Sequence, residues 1–539
     1  MEQLTLAKSI YANKKELFTI PEASAWATEY VRREITVSNI SYLIQYGRIR
    51  KLNSNRGVCV SRLDLENYYN SYDTTRESTY KTQLGNDINW ELSFSRVKEA
   101  ESTKHVHRLH PYKGKFIPQL VEYFIDSHTD DFKREVYFKQ GDIILDPFSG
   151  SGTTMVQANE CGMDSIGIDV SSFNALIANC KVARYDLADL HAESNRISYA
   201  LREFTARSNI AEFENTLLAE LNKFNNEFFP VPGYKYRLNQ GEVNEDVYGA
   251  EKERLFFITY NKLIQEYGIR LYQEKNSNFL EKWFLQQVRN EIEFTFEQIE
   301  KVQNQQTRSI LNLILSRTMR SCRATTHSDL ATLIEPVTST YYCSKHGKIC
   351  KPLFSIVKWW ESYCKDTIRR LGAFNILRTP TEQYCLTGDS RSINIIEELK
   401  MVSPWFAKKV SGQRIAGIFS SPPYVGMIDY HEQHAYAYDL FRFERRDDCE
   451  IGPLFRGKGK EARQSYIDGI SSVLNNCKKY LAADYNIFLV ANDKHNLYPI
   501  ISEKAGMSIV NMFRRPVLNR SEKDKTAYSE TIFHMRERN

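Results

Sequence analysis

The stretch Asp142-Ile143-Ile144-Leu145-Asp146-Pro147-Phe148-Ser149-Gly150-Ser151-Gly152-Thr153-Thr154 constrains the fold more than any other part of the chain. An apolar run of strand type stops at Asp146-Pro147, because proline has no N–H to give to a sheet ladder. Gly150 and Gly152 then allow a tight turn and let a ligand approach bare backbone, and a helix-like run starts at Thr153. The next strand-type run, Ser165-Ile166-Gly167-Ile168-Asp169, ends in an acid about twenty residues further on, where folds of this kind hold a ribose hydroxyl. The pattern predicts an α/β fold with a nucleotide-like ligand at the strand ends. A phosphate loop needs a lysine after Gly152, and Thr153 stands there. A dinucleotide turn needs a third glycine where this chain has Met155.

A second loop of the same kind lies far downstream, at Ile415-Ala416-Gly417-Ile418-Phe419-Ser420-Ser421-Pro422-Pro423-Tyr424. Together, Asp146-Pro147-Phe148-x-Gly150-x-Gly152-Thr153-Thr154 and Ser421-Pro422-Pro423-Tyr424 resemble the cofactor and catalytic loops of the amino-methylating DNA methyltransferases. The resemblance covers roughly 110–180 and 383–536. It implies a Rossmann-like methyltransferase fold with a mixed seven-stranded sheet and S-adenosylmethionine as cofactor. It places Phe116, Asp146, Pro147, Phe148, Gly150, Gly152, Thr153, Asp169 and Asp389 around that cofactor, and Ser421, Pro422, Pro423 and Tyr424 at the reacting base. The implied substrate is double-stranded DNA, in bacterial restriction–modification or phage defence, with a separate restriction endonuclease as partner.

The residues permit this chemistry. An exocyclic amine is conjugated to its ring and is a poor nucleophile, so its lone pair must be localised. The Ser421 hydroxyl and Pro422 carbonyl would accept the amine hydrogens, in a loop stiffened by Pro422-Pro423. Tyr424 would offer a flat face to a flipped base. Methylation of ring carbon 5 usually needs Pro-Cys, and none of the fifteen prolines precedes a cysteine. Ser421 at the head of the motif favours cytosine N4; the alternative is adenine N6. Two further alternatives are an RNA amino-methyltransferase and a non-catalytic DNA-binding regulator.

Four domains are expected: 1–75, 76–184 (cofactor part of the core), a mainly helical target-recognition insert at 185–380, and 381–539 (catalytic part). Residues 17–69 resemble the winged helix-turn-helix of excisionase and MerR-type proteins, with a helix start near Thr19-Ile20-Pro21, a helix over 38–46 stopped by Gly47, a turn before Val58-Cys59-Val60, and a helix over 62–69. Residues 70–105 read as a polar linker. Phe116, Ile117, Leu120, Val121 and Phe124 recur at helical spacing. Long helices are expected over 195–228 and 279–319. Runs at 384–390, 486–492, 508–515 and 529–536 complete the sheet, the last two as an antiparallel end. His431-Glu432-Gln433-His434 falls one residue short of H-E-x-x-H, so both histidines read as groove or core residues.

Net charge is only +5, but 317–378 holds eleven Lys and Arg against four Asp and Glu, which leaves −2 for the rest. That excess, with interleaved aromatics, suits phosphate contact. Lys345, Lys348 and Lys351, together with Arg456, Lys458 and Lys460 in a glycine-rich loop, are the candidate DNA contacts. No metal is required by the reading. Cys343 and Cys350 with His346 between them favour a cysteine-bearing loop, the alternative being zinc held with Cys322 as fourth ligand. No apolar run approaches the ~18 residues of a membrane span, no secretory signal opens the sequence, and ten scattered cysteines suit reduced thiols in a cytoplasm.

Overall fold

The structure, a computed structural model, describes residues 16–538 except 32–33, 56, 71–74, 86–87, 96, 273–276, 328–332 and 518–526. The opening residues read above for a secretory signal lie outside this set. The chain divides into two compact units. The larger holds 84–205, 273–322 and 355–539; the smaller holds 1–83, 206–272 and 323–354.

The larger unit is built on a seven-stranded sheet of β1 Ile143–Asp146, β2 Asp164–Asp169, β3 Gln383–Thr387, β4 Ile415–Ser420, β5 Leu481–Ala491, β6 Met507–Pro516 and β7 Ser529–Glu537, in the order β6-β7-β5-β4-β1-β2-β3. β7 runs antiparallel to both neighbours and all other pairs are parallel. This is the mixed seven-stranded sheet expected of a Rossmann-like methyltransferase fold, with the antiparallel end formed by its last two strands. The central strands are covered on both faces, so they read as continuous apolar runs, not as alternating ones. Side chains still alternate between faces. Ile143, Leu145, Ile418, Ile487 and Leu489 join one core, while Ile144, Phe419, Phe488 and Val490 join the other.

Helix Pro118–Ile125 starts on a proline, whose missing N–H costs nothing in the first turn, and buries Leu120, Val121, Phe124 and Ile125 against the second core. Helix Ser172–Val182 is capped by Ser171, whose Oγ accepts from the Asn174 N–H at 3.2 Å.

Within the expected linker, Thr75–Leu84 is helical, Leu92 packs into the second core, and the Asn89 N–H donates to the Arg514 carbonyl at 2.8 Å. The expected helix over 195–228 is two, Leu187–Ala206 and Ile210–Phe228, and that over 279–319 is three, Phe279–Trp283, Gln286–Glu300 and Gln305–Cys322. Residues 185–205, 273–322 and 355–380, grouped with the insert in the sequence reading, fall in the larger unit.

In the smaller unit, helices Ile20–Val31, Val37–Gln45 and Arg62–Tyr69 surround a three-stranded sheet of Leu17–Thr19, Gly57–Ser61 and Leu52–Ser54. Thr36 caps the second helix reciprocally with Asn39. This module packs on helix Gly233–Asn239: Asn239 Nδ2 donates to the Gly47 carbonyl at 2.6 Å, and Lys235 lies over the Tyr46 ring. Hairpin Tyr341–Cys343/Lys348–Cys350 completes the unit. Among the described residues, no helix is long and apolar enough to cross a membrane.

Candidate active site

β1 and β4 are neighbours in parallel register, with Leu145 opposite Ile418. Their C-terminal ends therefore open at the same edge, and the loops that follow them meet. Ser420 Oγ donates to Asp146 Oδ1 at 2.5 Å across 274 residues of sequence, and Thr154 Oγ1 donates to the Phe419 carbonyl at 3.2 Å. A cleft of about 830 Å³, open mouth included, lies over this junction. It is lined by Phe116, Asp146, Pro147, Phe148, Gly150, Thr153, Asp169 and Asp389 from the cofactor expectation, and by Ser421 and Pro423 from the catalytic one. Pro422 is buried between them.

The glycine turn is held from several sides. Gly150 has φ +49°, and its N–H donates to Asp169 Oδ2 at 2.8 Å. The other oxygen of Asp169 accepts from the Ser171 N–H and from Asn174 Nδ2, at 2.9 and 3.1 Å. Buried Lys181 donates to the Ser151 carbonyl at 2.5 Å. Gly152 differs from expectation. Its φ is +72°, and a Cβ there would meet the Ala178 Cβ at 2.8 Å, so its missing side chain serves helix packing and not a ligand. It is absent from the cleft lining.

The electrostatics fit a polar, cation-bearing ligand. Burial pushes the Asp146 carboxyl up to about 6, against the hydrogen bonds from Ser420, Thr154 and Phe148 that favour its charged form. Burial also raises Asp169, whose charge adds to the rise of Asp146. Two acids lining one cleft, Asp146 buried and Asp169 half-buried, gain from a nearby positive charge. Ser151, Thr153 and Asn174 line the same cleft, and their Oγ, Oγ1 and Oδ1 atoms are buried with no hydrogen-bond partner among the described residues. Buried polar atoms are nearly always paired, so three such atoms at one cleft fit a nucleoside-like ligand.

The remaining walls are aromatic and ionic. Tyr112 stacks on Tyr430 with ring centroids 6.1 Å apart and planes at 21°. Phe116 meets Phe419 edge-on at 5.5 Å. Asp389 is gripped by Arg391 at 2.9 and 2.6 Å, which with further hydrogen bonding holds its carboxyl below the usual range despite burial. Ser390 Oγ donates to the Pro147 carbonyl at 2.7 Å. Tyr424 departs from expectation: its hydroxyl donates to Glu530 at 3.0 Å and its half-buried ring packs on the sheet core, outside the cleft lining. His431 and His434 are buried, as read from their spacing. His431 donates its N–H to Glu450 at 2.8 Å and bonds it again through the ring.

Tyr112, Ser151, Asn174, Ser390, Tyr430 and Glu450 reach the cleft without having been singled out. Asn174 had a local signal, since Ser171-x-x-Asn174 marks a helix start just after the acid-ended strand. Ser151 and Ser390 adjoin Gly150 and Asp389, which the sequence did mark, whereas Tyr112, Tyr430 and Glu450 arrive by tertiary packing alone.

The basic segment is largely engaged within the protein. Arg317 and Arg370 bind Asp366 at 2.8 and 2.9 Å, Arg370 also donates to the carbonyls of Thr103 and His105, and Arg378 donates to those of Val182 and Ala183. Lys351 pairs with Glu214, against the expectation of a phosphate contact, whereas Lys345 and Lys348 are exposed. Arg456, Lys458 and Lys460 are exposed beside Met427, Leu454 and Phe455, which are also exposed. Cys322 ends helix Gln305–Cys322 in the larger unit and is not grouped with Cys343, His346 and Cys350; His327 is.

A family profile described as "DNA methylase" (N6_N4_Mtase) matches residues 11–179. The chain is 44% identical over 528 residues, 97% of each chain, to the type II methyltransferase M.MjaII of Methanocaldococcus jannaschii. It is 25% identical over 243 residues to the type II methyltransferase M.MvaI of Kocuria varians, covering 42% of this chain and 51% of that one. Among solved structures, the rRNA methyltransferase aviRa of Streptomyces viridochromogenes aligns over 82% of this chain and 94% of its own, with 9% identity and a TM-score of 0.29, too low to bear on fold or substrate. Near-complete coverage at 44% identity, joined to two loops that meet at one cleft, leads to one assignment: the chain belongs to the type II methyltransferases, the amino-methylating DNA methyltransferases of restriction–modification systems.

Proposed function

We propose that the protein transfers a methyl group from S-adenosylmethionine to the exocyclic amine of a base flipped out of duplex DNA, with cytosine N4 as the target. The observation that carries this reading is the meeting of Ser421 and Pro423 with Asp146, Gly150, Thr153 and Asp169 around one cleft. S-adenosylmethionine, when bound, supplies an electrophilic methyl on a sulfonium. The Asp169 side, with Ser151, Thr153 and Asn174, suits its ribose and polar edge, and Asp389 suits its adenine. The Ser421 hydroxyl and Pro422 carbonyl accept the two amine hydrogens of the base, which localises the nitrogen lone pair toward the methyl group. Two prolines hold these acceptors before the base arrives. Tyr424 fixes the loop through Glu530. The exposed Leu454 and Phe455, flanked by Arg456, Lys458 and Lys460, suit an apolar edge that enters a base step beside phosphate contacts.

Cytosine N4 over adenine N6 rests on the serine at position 421. Restriction–modification supports duplex DNA over RNA, and a cognate restriction endonuclease is the expected partner. Labelled methyl transfer to duplex DNA and to structured RNA tests the substrate class. Incorporation into duplex DNA alone is expected; incorporation into RNA alone would move the protein to the RNA enzymes, and failure to bind S-adenosylmethionine would revive the regulator reading.

A further inference from the structure

We infer that His327, Cys343, His346 and Cys350 form a structural zinc site in the smaller unit. The inference is independent of the proposed methyl transfer. The hairpin Tyr341–Cys343/Lys348–Cys350 pairs Tyr341 with Cys350 and Cys343 with Lys348, which brings the two cysteines near each other. Its turn folds back, with the N–H groups of His346 and Gly347 donating to the Cys343 carbonyl at 3.1 and 2.7 Å, and this returns the His346 ring to the thiols. His346 Nδ1 lies 3.5 Å from Cys343 Sγ and 3.5 Å from Cys350 Sγ, and His327 Nδ1 lies 3.8 Å from Cys343 Sγ. All four ligand atoms fall within 4.8 Å of one another.

The two His346 spacings are those of neighbouring ligands on a zinc tetrahedron. A sulfur at ~2.3 Å and a nitrogen at ~2.0–2.1 Å from the metal, set at a tetrahedral angle, lie about 3.5–3.6 Å apart, and His327 stands slightly outside that distance. Hydrogen bonding explains the cluster poorly, because one ring nitrogen shares at most one proton with two thiols, whereas a central cation engages both. Cys343 and Cys350 are free thiols and buried, at 2% and 8% exposure. The Tyr341 hydroxyl accepts from the His327 backbone N–H at 3.2 Å, which holds that residue against the hairpin, and its 2.8 Å contact with His327 Nδ1 would be exchanged for the metal. Four protein ligands leave no open position, so the site is structural and not catalytic.

The hairpin's strands are three residues each, and its own apolar cluster is Tyr341, Cys343 and Cys350 with Val337 beside them. Helices Ile210–Phe228 and Glu245–Glu266 hold it from outside, the Ile349 N–H donating to Asn225 at 3.0 Å and the Tyr342 N–H to Glu253 at 2.8 Å, and a metal would add a tie through its cysteines.

The full-length protein, purified without chelator, is analysed for metal by mass spectrometry. About one zinc per chain is expected, lost in Cys343→Ser and in His327→Asn and kept in Cys322→Ser. Should those variants fail to fold, wild-type protein stripped and titrated with Co²⁺ decides. The absorption of tetrahedral, thiolate-bound cobalt, displaced by Zn²⁺, supports the site. Wild-type protein without stoichiometric zinc and without that cobalt spectrum overturns it, as does a Cys343–Cys350 disulfide or zinc retained in the Cys343→Ser, His327→Asn double variant.

Discussion

The cleft above β1 and β4 and the basic segment 317–378 handle charge in opposite ways. In the cleft, burial raises two acids, Asp146 and Asp169, toward their neutral forms. In the basic segment, Arg317 and Arg370 converge on Asp366, Arg378 closes on two carbonyls, and Lys351 pairs with Glu214. Buried polar atoms without partners among the described residues occur in both, at Ser151, Thr153 and Asn174 in the cleft and at Thr325, Thr340 and Arg378 Nε in the segment, so charge is what separates the two. A charge left for a ligand marks the ligand site better than a count of charges does, and the segment with the greatest formal charge is largely a framework.

The largest effect is expected at the catalytic loop. Ser421→Ala removes a fixed acceptor and should lower kcat by the equivalent of ~2–4 kcal/mol, with S-adenosylmethionine affinity by calorimetry unchanged. A loss of cofactor affinity matching the loss of rate would place Ser421 in cofactor binding.

Asp146 sharpens the cleft side of the comparison. Its folded-state value of about 6 lies above the ordinary 3.8, so burial penalises the charged form. Its contribution to stability is whole below the unfolded value and is lost as pH rises through the folded one, a cost of about 3 kcal/mol at neutral pH by linkage. Asp146→Asn should raise the melting temperature at pH 7.5 and leave it nearly unchanged at pH 4. Equal shifts at both pH values would show that Asp146 is not strained by its charge. S-adenosylmethionine, being a cation, should also bind wild type more weakly as pH falls through about 6.

In the framework, Arg370→Ala takes one arginine from Asp366, which keeps Arg317 and Arg369, and removes the side-chain donor of the Thr103 and His105 carbonyls; it should cost about 1–3 kcal/mol of stability in chemical denaturation, without changing the salt dependence of DNA binding. Replacing Lys345 and Lys348 together should do the reverse, flattening the slope of log affinity against log salt by about 0.9 for each phosphate that is no longer neutralised. A slope that responds to Arg370 and not to the lysines would erase the contrast drawn above. Thr153→Val is the smallest change: cofactor affinity should fall by about 0.5–1.5 kcal/mol while thermal stability holds or rises, since the free protein loses an unpaired hydroxyl.

The cleft was legible where its chemistry is local. Asp146-Pro147 ends a strand, Gly150 turns the chain, and Ser421-Pro422-Pro423 ends another strand, so short motifs carry their own geometry. Asp169, nineteen residues from Gly150, was found because the strand–turn–helix–strand unit has a near-constant length. Tyr112, Tyr430 and Glu450 were not legible, since each enters the cleft from an element whose own pattern is that of ordinary packing. Gly152 was assigned to the ligand because sequence shows a missing side chain but not the neighbour it makes room for, here Ala178. The polar composition of 70–105 hid a segment held by Leu92 and a backbone bond to Arg514. The division of 185–380 between two compact units depends on which helices pack together, and composition does not record that.

Nucleoside mass spectrometry of duplex DNA methylated by the purified protein tests the central claim most directly. N4-methylcytosine is the expected product, absent with Ser421→Ala. N6-methyladenine without N4-methylcytosine would contradict the reading of Ser421, and a methylated base with no dependence on Ser421 would contradict the active site itself.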